Sequence, residues 1–132
     1  MREVMMKQLL LGLMLLVTSG AASAEWTQVN FNVQATYYVD IATIRRNGDF
    51  VTMWDLTDLK KADVFDGQST LSGRSQYEYD CKDEKRRNIA LTTFSGQMLG
   101  GTINVNNNDM GPWTPVPPGS VMKTLWKIAC GK

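Results

Sequence analysis

The two cysteines are the residues of this chain best placed to do chemistry. Cys81 and Cys130 allow one intramolecular bond, and an exported chain would form it in an oxidising compartment. A second pair of interest is Glu78 and Asp80, two carboxylates on one side of an extended segment. Such a pair could serve as acid and base on a glycan, although on an exposed strand it more simply solvates the surface. Lys82, Lys85, Arg86 and Arg87 form the one basic cluster, interrupted by Asp83 and Glu84, and could meet an acidic protein or sulfated glycan. Trp113 stands among prolines, and Trp26 near the start of the exported part; an exposed tryptophan is a natural contact anchor. Lys85, Arg86, Arg87 and Trp113 are therefore the candidate partner-binding residues.

Other chemistries are disfavoured. The chain has no histidine, which removes Ser-His and Cys-His nucleophiles and imidazole ligands for zinc. Asn104 to Gly111 carries oxygen-bearing side chains like a calcium loop, but only Asp109 is charged and no glutamate closes it. Gly96 to Gly101 lacks the spacing and the lysine of a phosphate loop. No cofactor or metal is expected, and the expected class is a non-enzyme. From Glu25 onward acidic and basic residues balance, so there is no electrostatic footprint for nucleic acid.

The elements that must position these residues begin after a targeting segment. Arg2 and Lys7 precede the apolar run Leu9 to Val17, and Ala22-Ser23-Ala24 supplies a small-x-small cleavage site. A membrane span needs about 20 apolar residues, and this run meets Thr18, Ser19 and Gly20 too soon. Residues 1–24 are expected to be a signal peptide and 25–132 one domain with a single core. No cysteine follows the apolar run, so no lipid anchor is expected, and the periplasm or the medium is the expected destination.

Ser72 to Cys81 organises the rest. Tyr77, Tyr79 and Cys81 alternate with Gln76, Glu78 and Asp80, as in a half-buried strand. Strands are also expected over Glu25 to Asn30, Thr36 to Asp40, Phe50 to Leu59, Arg86 to Ser95 and Thr102 to Val105. Asp40 is suited to cap the turn Ile41 to Ile44, and Asn47-Gly48 signals a primed hairpin turn. Phe50 to Leu59 has apolar residues on both parities, which fits either a strand covered on both faces or a bulge that switches faces. Lys60 to Thr70, polar with an Asp66-Gly67 turn signal, reads as a loop.

Ser120 is a natural N-cap for a helix from Val121 to Ala129, with Val121, Leu125, Ile128, Met122, Trp126 and Ala129 inward and Lys123, Thr124 and Lys127 outward. Too short to persist alone, it must dock, and a Cys81 to Cys130 bond would fasten it to the Tyr77/Tyr79 face. The expected fold is α+β: a twisted antiparallel sheet of about six strands with one C-terminal helix packed on it and tied by a disulfide.

Tyr37-Tyr38-Val39-Asp40, the Thr43-Ile44 turn, Val51 to Trp54 with Leu56 and Asp58, Gln76-Tyr77 to Asp80-Cys81, and the helix ending at Cys130 together resemble the surface-adhesin protein E family. The resemblance implies the same small sheet with a disulfide-tied helix. It also implies adhesion to a protein partner, a host matrix protein or an envelope component. The family's binding stretch corresponds to Lys82 to Ser95, where Arg86 and Arg87 qualify by place and charge alone. A sheet edge could also pair two copies into a homodimer.

Overall fold

The computed structural model describes residues 23–132, so the expected leader lies, but for its last two residues, outside the described part. Seven strands form one antiparallel sheet: β1 (Thr27–Phe31), β2 (Ala35–Asn47), β3 (Phe50–Phe65), β4 (Gln68–Asp80), β5 (Lys85–Phe94), β6 (Ile103–Asn107) and β7 (Thr114–Pro115). β1 to β6 follow one another as a meander, and β7 pairs with the start of β5 through Lys85 and Arg86. The helix α1 (Val121–Cys130) closes the chain. The expected six strands become seven because Thr114–Pro115 adds a two-residue pairing.

Two connections differ from expectation, although the Asp66-Gly67 turn lies where its signal placed it. Lys60 to Thr70 is not a loop: β3 and β4 run on as a two-stranded ribbon, with Asp63 opposite Thr70, Val64 opposite Ser69 and Phe65 opposite Gln68. Asp66 and Gly67 both take positive φ, 51° and 75°, as a primed two-residue turn requires. The flanks escaped recognition because both faces of the ribbon are exposed, so no polarity alternation is needed. The first hairpin turns at Gly48-Asp49 rather than Asn47-Gly48, because Asn47 pairs with Phe50; Gly48 supplies the positive φ of 62°.

Asp40 does cap the excursion that follows it. Its Oδ1 accepts from the Ala42 N–H at 3.2 Å, the Thr43 hydroxyl donates to the Asp40 carbonyl, and the register of β2 against β3 shifts between Asp40 and Arg45. The two-parity pattern of β3 is also settled. Val51 and Met53 are buried beneath α1, while Leu56 is buried on the opposite face. That outer face is covered by the β5–β6 connection. Met98 N–H donates to Asp58 Oδ1, Leu99 N–H donates to Ser72 Oγ, and Ser72 Oγ donates to the Gly96 carbonyl.

The main core joins Val39, Val51, Met53, Tyr79 and Cys81 of the sheet region to Leu125, Trp126, Ala129 and Cys130 of α1. Ser120 caps the helix by accepting from Lys123 N–H at 3.1 Å, a contact that contributes about 1 kcal/mol. At the other end Gly131 is left-handed, with Gly131 N–H bonded to the Ile128 carbonyl and Lys132 N–H to that of Lys127. This is a Schellman stop. Lys123 is not a solvent residue as its helical position suggested. Its ammonium bonds Glu84 at 2.9 Å and lies 4.3 Å from the centre of the Trp126 ring.

Candidate functional site

Cys81 and Cys130 form the disulfide, with Cα atoms 5.6 Å apart. Around it the helix end is held by three further contacts. Trp126 Nε1 donates to the Asp80 carbonyl at 2.8 Å, Arg46 to the Cys130 carbonyl at 3.1 Å, and Lys132 Nζ to the Cys81 carbonyl at 3.2 Å. The bond is structural, buried against Trp126 and Tyr79 in one core.

The two carboxylates considered as an acid pair are otherwise engaged. Glu78 Oε1 takes both Nε and Nη2 of Arg87, at 2.8 and 2.6 Å. Asp80 Oδ1 accepts the Lys82 and Asp83 N–H groups at 3.0 Å and so closes the β4–β5 turn. The asparagine run likewise does local work. Asn104 donates to the Ser69 carbonyl, Asn106 accepts from Thr92, and Asn107 accepts from the Asp109 N–H. Among the described residues no cluster of His, Cys, Asp and Glu is disposed to hold a metal.

The basic cluster is divided by the strand it lies on. Successive side chains of β5 point to opposite faces, so Lys85 and Arg87 reach the outer face and Arg86 the face beneath α1. On the outer face they meet Trp113, brought in by the segment that leads to β7. The Arg87 guanidinium lies 4.5 Å and the Lys85 ammonium 5.6 Å from the Trp113 ring centre, and Phe50 stands 5.7 Å away on the same ring. Two cations over an indole give an attraction of about 0.5–1 kcal/mol each at an exposed site. The cluster is partly exposed, with Phe50 itself 40% open. Trp26 lies elsewhere on the sheet, where it lines a hollow with Trp54 and Arg74.

Arg86 lies 3.9 Å from the Tyr77 ring centre, beneath the helix. With it are Tyr79, fully buried, and Asp55, 5% exposed; Asp55 Oδ2, Tyr79 OH and Arg86 Nε have no hydrogen-bond partner. Burial pushes the Asp55 carboxyl up to about 7, with the Arg86 charge opposing. Burial also pushes the Tyr79 hydroxyl far up and the Asp55 charge adds to it; Arg86 comes near enough to oppose the shift without forming a well-aligned hydrogen bond. Sequence reading missed Asp55, which resembles any polar residue of an alternating strand. Its parity was the available signal, since it shares a face with Val51 and Met53.

This carboxyl makes stability fall as the pH rises towards neutrality. An unfolded aspartate releases its proton near about pH 3.9, and folded Asp55 only near 7. The folded state holds the extra proton between these values. Stability is therefore fullest below the window, falls through it by up to about 1.4 kcal/mol per pH unit, and levels off above it. Asp55→Asn should flatten that decline, as measured by urea unfolding at several pH values across the window. An unchanged slope would assign it to other groups.

Residues 26–131 match the family described as Surface-adhesin protein E. Comparison with curated protein sequences returns no significant match. Among solved structures, crystal form II of Haemophilus influenzae protein E is similar with a TM-score of 0.62 at 14% identity, over 84% of this chain and 91% of that one. A second structure of Haemophilus influenzae protein E gives 0.60 at 14% identity, over 84% and 87%. Protein E from non-typeable Haemophilus influenzae gives 0.59 at 15% identity, over 86% and 79%. At these identities the likeness establishes a shared fold.

Proposed function

From the chain's membership of the surface-adhesin protein E family, matched over residues 26–131, we propose that it is an exported, non-catalytic module of the Gram-negative envelope that binds a protein partner. Residues 1–24 act as the signal peptide and residues 25–132 as the exported domain, in the periplasm or released. The partner is a host matrix protein or an envelope component.

The observation that supports a particular surface is the convergence of Lys85, Arg87, Phe50 and Trp113 on the outer face. Arginine and tryptophan carry binding energy when a partner excludes water from them. Here Glu78 fixes the Arg87 guanidinium in advance, so little side-chain freedom remains to be lost on contact. Arg86, the fourth residue considered for this role, lies beneath α1 and outside this surface.

The test is crosslinking of exported protein in its native envelope, followed by mass spectrometry of what is captured. Lys85→Glu with Trp113→Ala should reduce capture roughly tenfold or more, as expected for loss of two central contacts, while circular dichroism shows the sheet and helix still folded. Equal capture by parent and variant would reject this surface.

A further inference from the structure

Beneath the N-terminal half of α1, helix and sheet leave a cavity of about 280 Å³. Its sheet wall is polar and carries Asp55, Arg86, Ser75 and Tyr77; its helix wall is apolar, from Val121, Met122 and Leu125. An acidic and a basic side chain thus share one wall and both have unmet hydrogen-bonding capacity, at Asp55 Oδ2 and Arg86 Nε. Asp55 is more than nine-tenths buried. Leaving a buried acceptor or donor unpaired costs about 1–3 kcal/mol, and more when it is charged. The volume falls just under the range of roughly 300–1,000 Å³ that houses drug-sized ligands. A small molecule is the fitting occupant.

Its chemistry follows from the two walls. A cation alone would satisfy Asp55 and be repelled by Arg86, and an anion alone would meet the reverse. Water could bridge the polar wall but would gain nothing from the aliphatic one. We propose that this cavity binds a free α-amino acid with an aliphatic side chain, its ammonium facing Asp55, its carboxylate facing Arg86 and its side chain against Met122 and Leu125. Arginine suits the carboxylate because its planar fork offers two parallel donors. Tyr77 stacks on the guanidinium and steadies it. The site lies on the opposite face of the sheet from Lys85, Arg87 and Trp113, so it is independent of the partner surface described above.

The probe is L-leucine, titrated into the oxidised protein to tens of millimolar while backbone amide shifts are followed. Saturable shifts centred on Asp55, Tyr77 and Met122 are expected. Isoamylamine, which lacks the carboxylate, and 4-methylpentanoate, which lacks the ammonium, should each bind roughly tenfold or more weakly, the scale of a lost charge-assisted hydrogen bond. Asp55→Asn should weaken leucine binding to a similar degree. Met122→Trp, which fills the cavity from the helix side without touching either charge, should abolish it. The absence of saturable shifts, equal affinity for leucine and isoamylamine, or undiminished binding by folded Met122→Trp would each overturn the proposal.

Discussion

Replacing Cys81 and Cys130 together by alanine should destabilise the protein by about 4 kcal/mol and lower its unfolding temperature by roughly 15–20 °C. The bond spans 49 residues, and cutting it returns to the unfolded chain the freedom of a loop of that size. Much of a small domain's stability, about 5–15 kcal/mol in all, would go with it. The loss should be felt first at α1. A helix of ten residues is marginal in water, and its register on the sheet is set where Cys130 meets the end of β4. Thermal unfolding monitored by circular dichroism and by tryptophan emission measures both effects. A shift of only a few degrees would mean that the packing of α1 already restrains the chain as tightly as the bond does.

Much of this arrangement was legible because alternation and capping are local. Tyr77, Tyr79 and Cys81 lie on a half-buried strand and the turn that ends it, and that side of the sheet carries the core. Ser120 and Gly131 bracket the helix through the backbone groups they satisfy. Arg86 and Arg87 could also have been separated from sequence alone, since neighbours on a strand must part to opposite faces. The basic cluster resembled one patch because charge was counted along the chain rather than by parity. What sequence could not convey is convergence at a distance. Trp113 reaches Arg87 only because the chain after β6 folds back along β5, with Gly111 N–H bonded to the Asn88 carbonyl and Thr114 pairing with Arg86. The cavity beside Asp55 is likewise a product of how far α1 reaches along the sheet.

That reach depends on one side chain. Trp126 is 3% exposed, fills the core between Tyr79 and Cys130, and donates its indole N–H to the Asp80 carbonyl at 2.8 Å. Lys123 and Lys132 lie over its ring at 4.3 and 5.4 Å, so removing the ring also strips the cover from their stems. Trp126→Ala should cost about 3–5 kcal/mol, the range for emptying a large aromatic site in a core. Trp126→Phe keeps most of the buried area and loses the donor. Its cost should be nearer 1–3 kcal/mol, the penalty for a buried carbonyl left without a partner. Urea unfolding of both variants with the disulfide intact separates packing from hydrogen bonding. The same pair measured without the disulfide decides how the two restraints combine. Trp126 and Cys130 hold the same helix to the same end of β4, so their losses should not add: once the bond is absent α1 frays more readily, and Trp126→Ala should then cost less than in the oxidised protein. Equal costs in both backgrounds would show that docking of α1 by its tryptophan is independent of the covalent link, and the disulfide would then act on the unfolded chain alone.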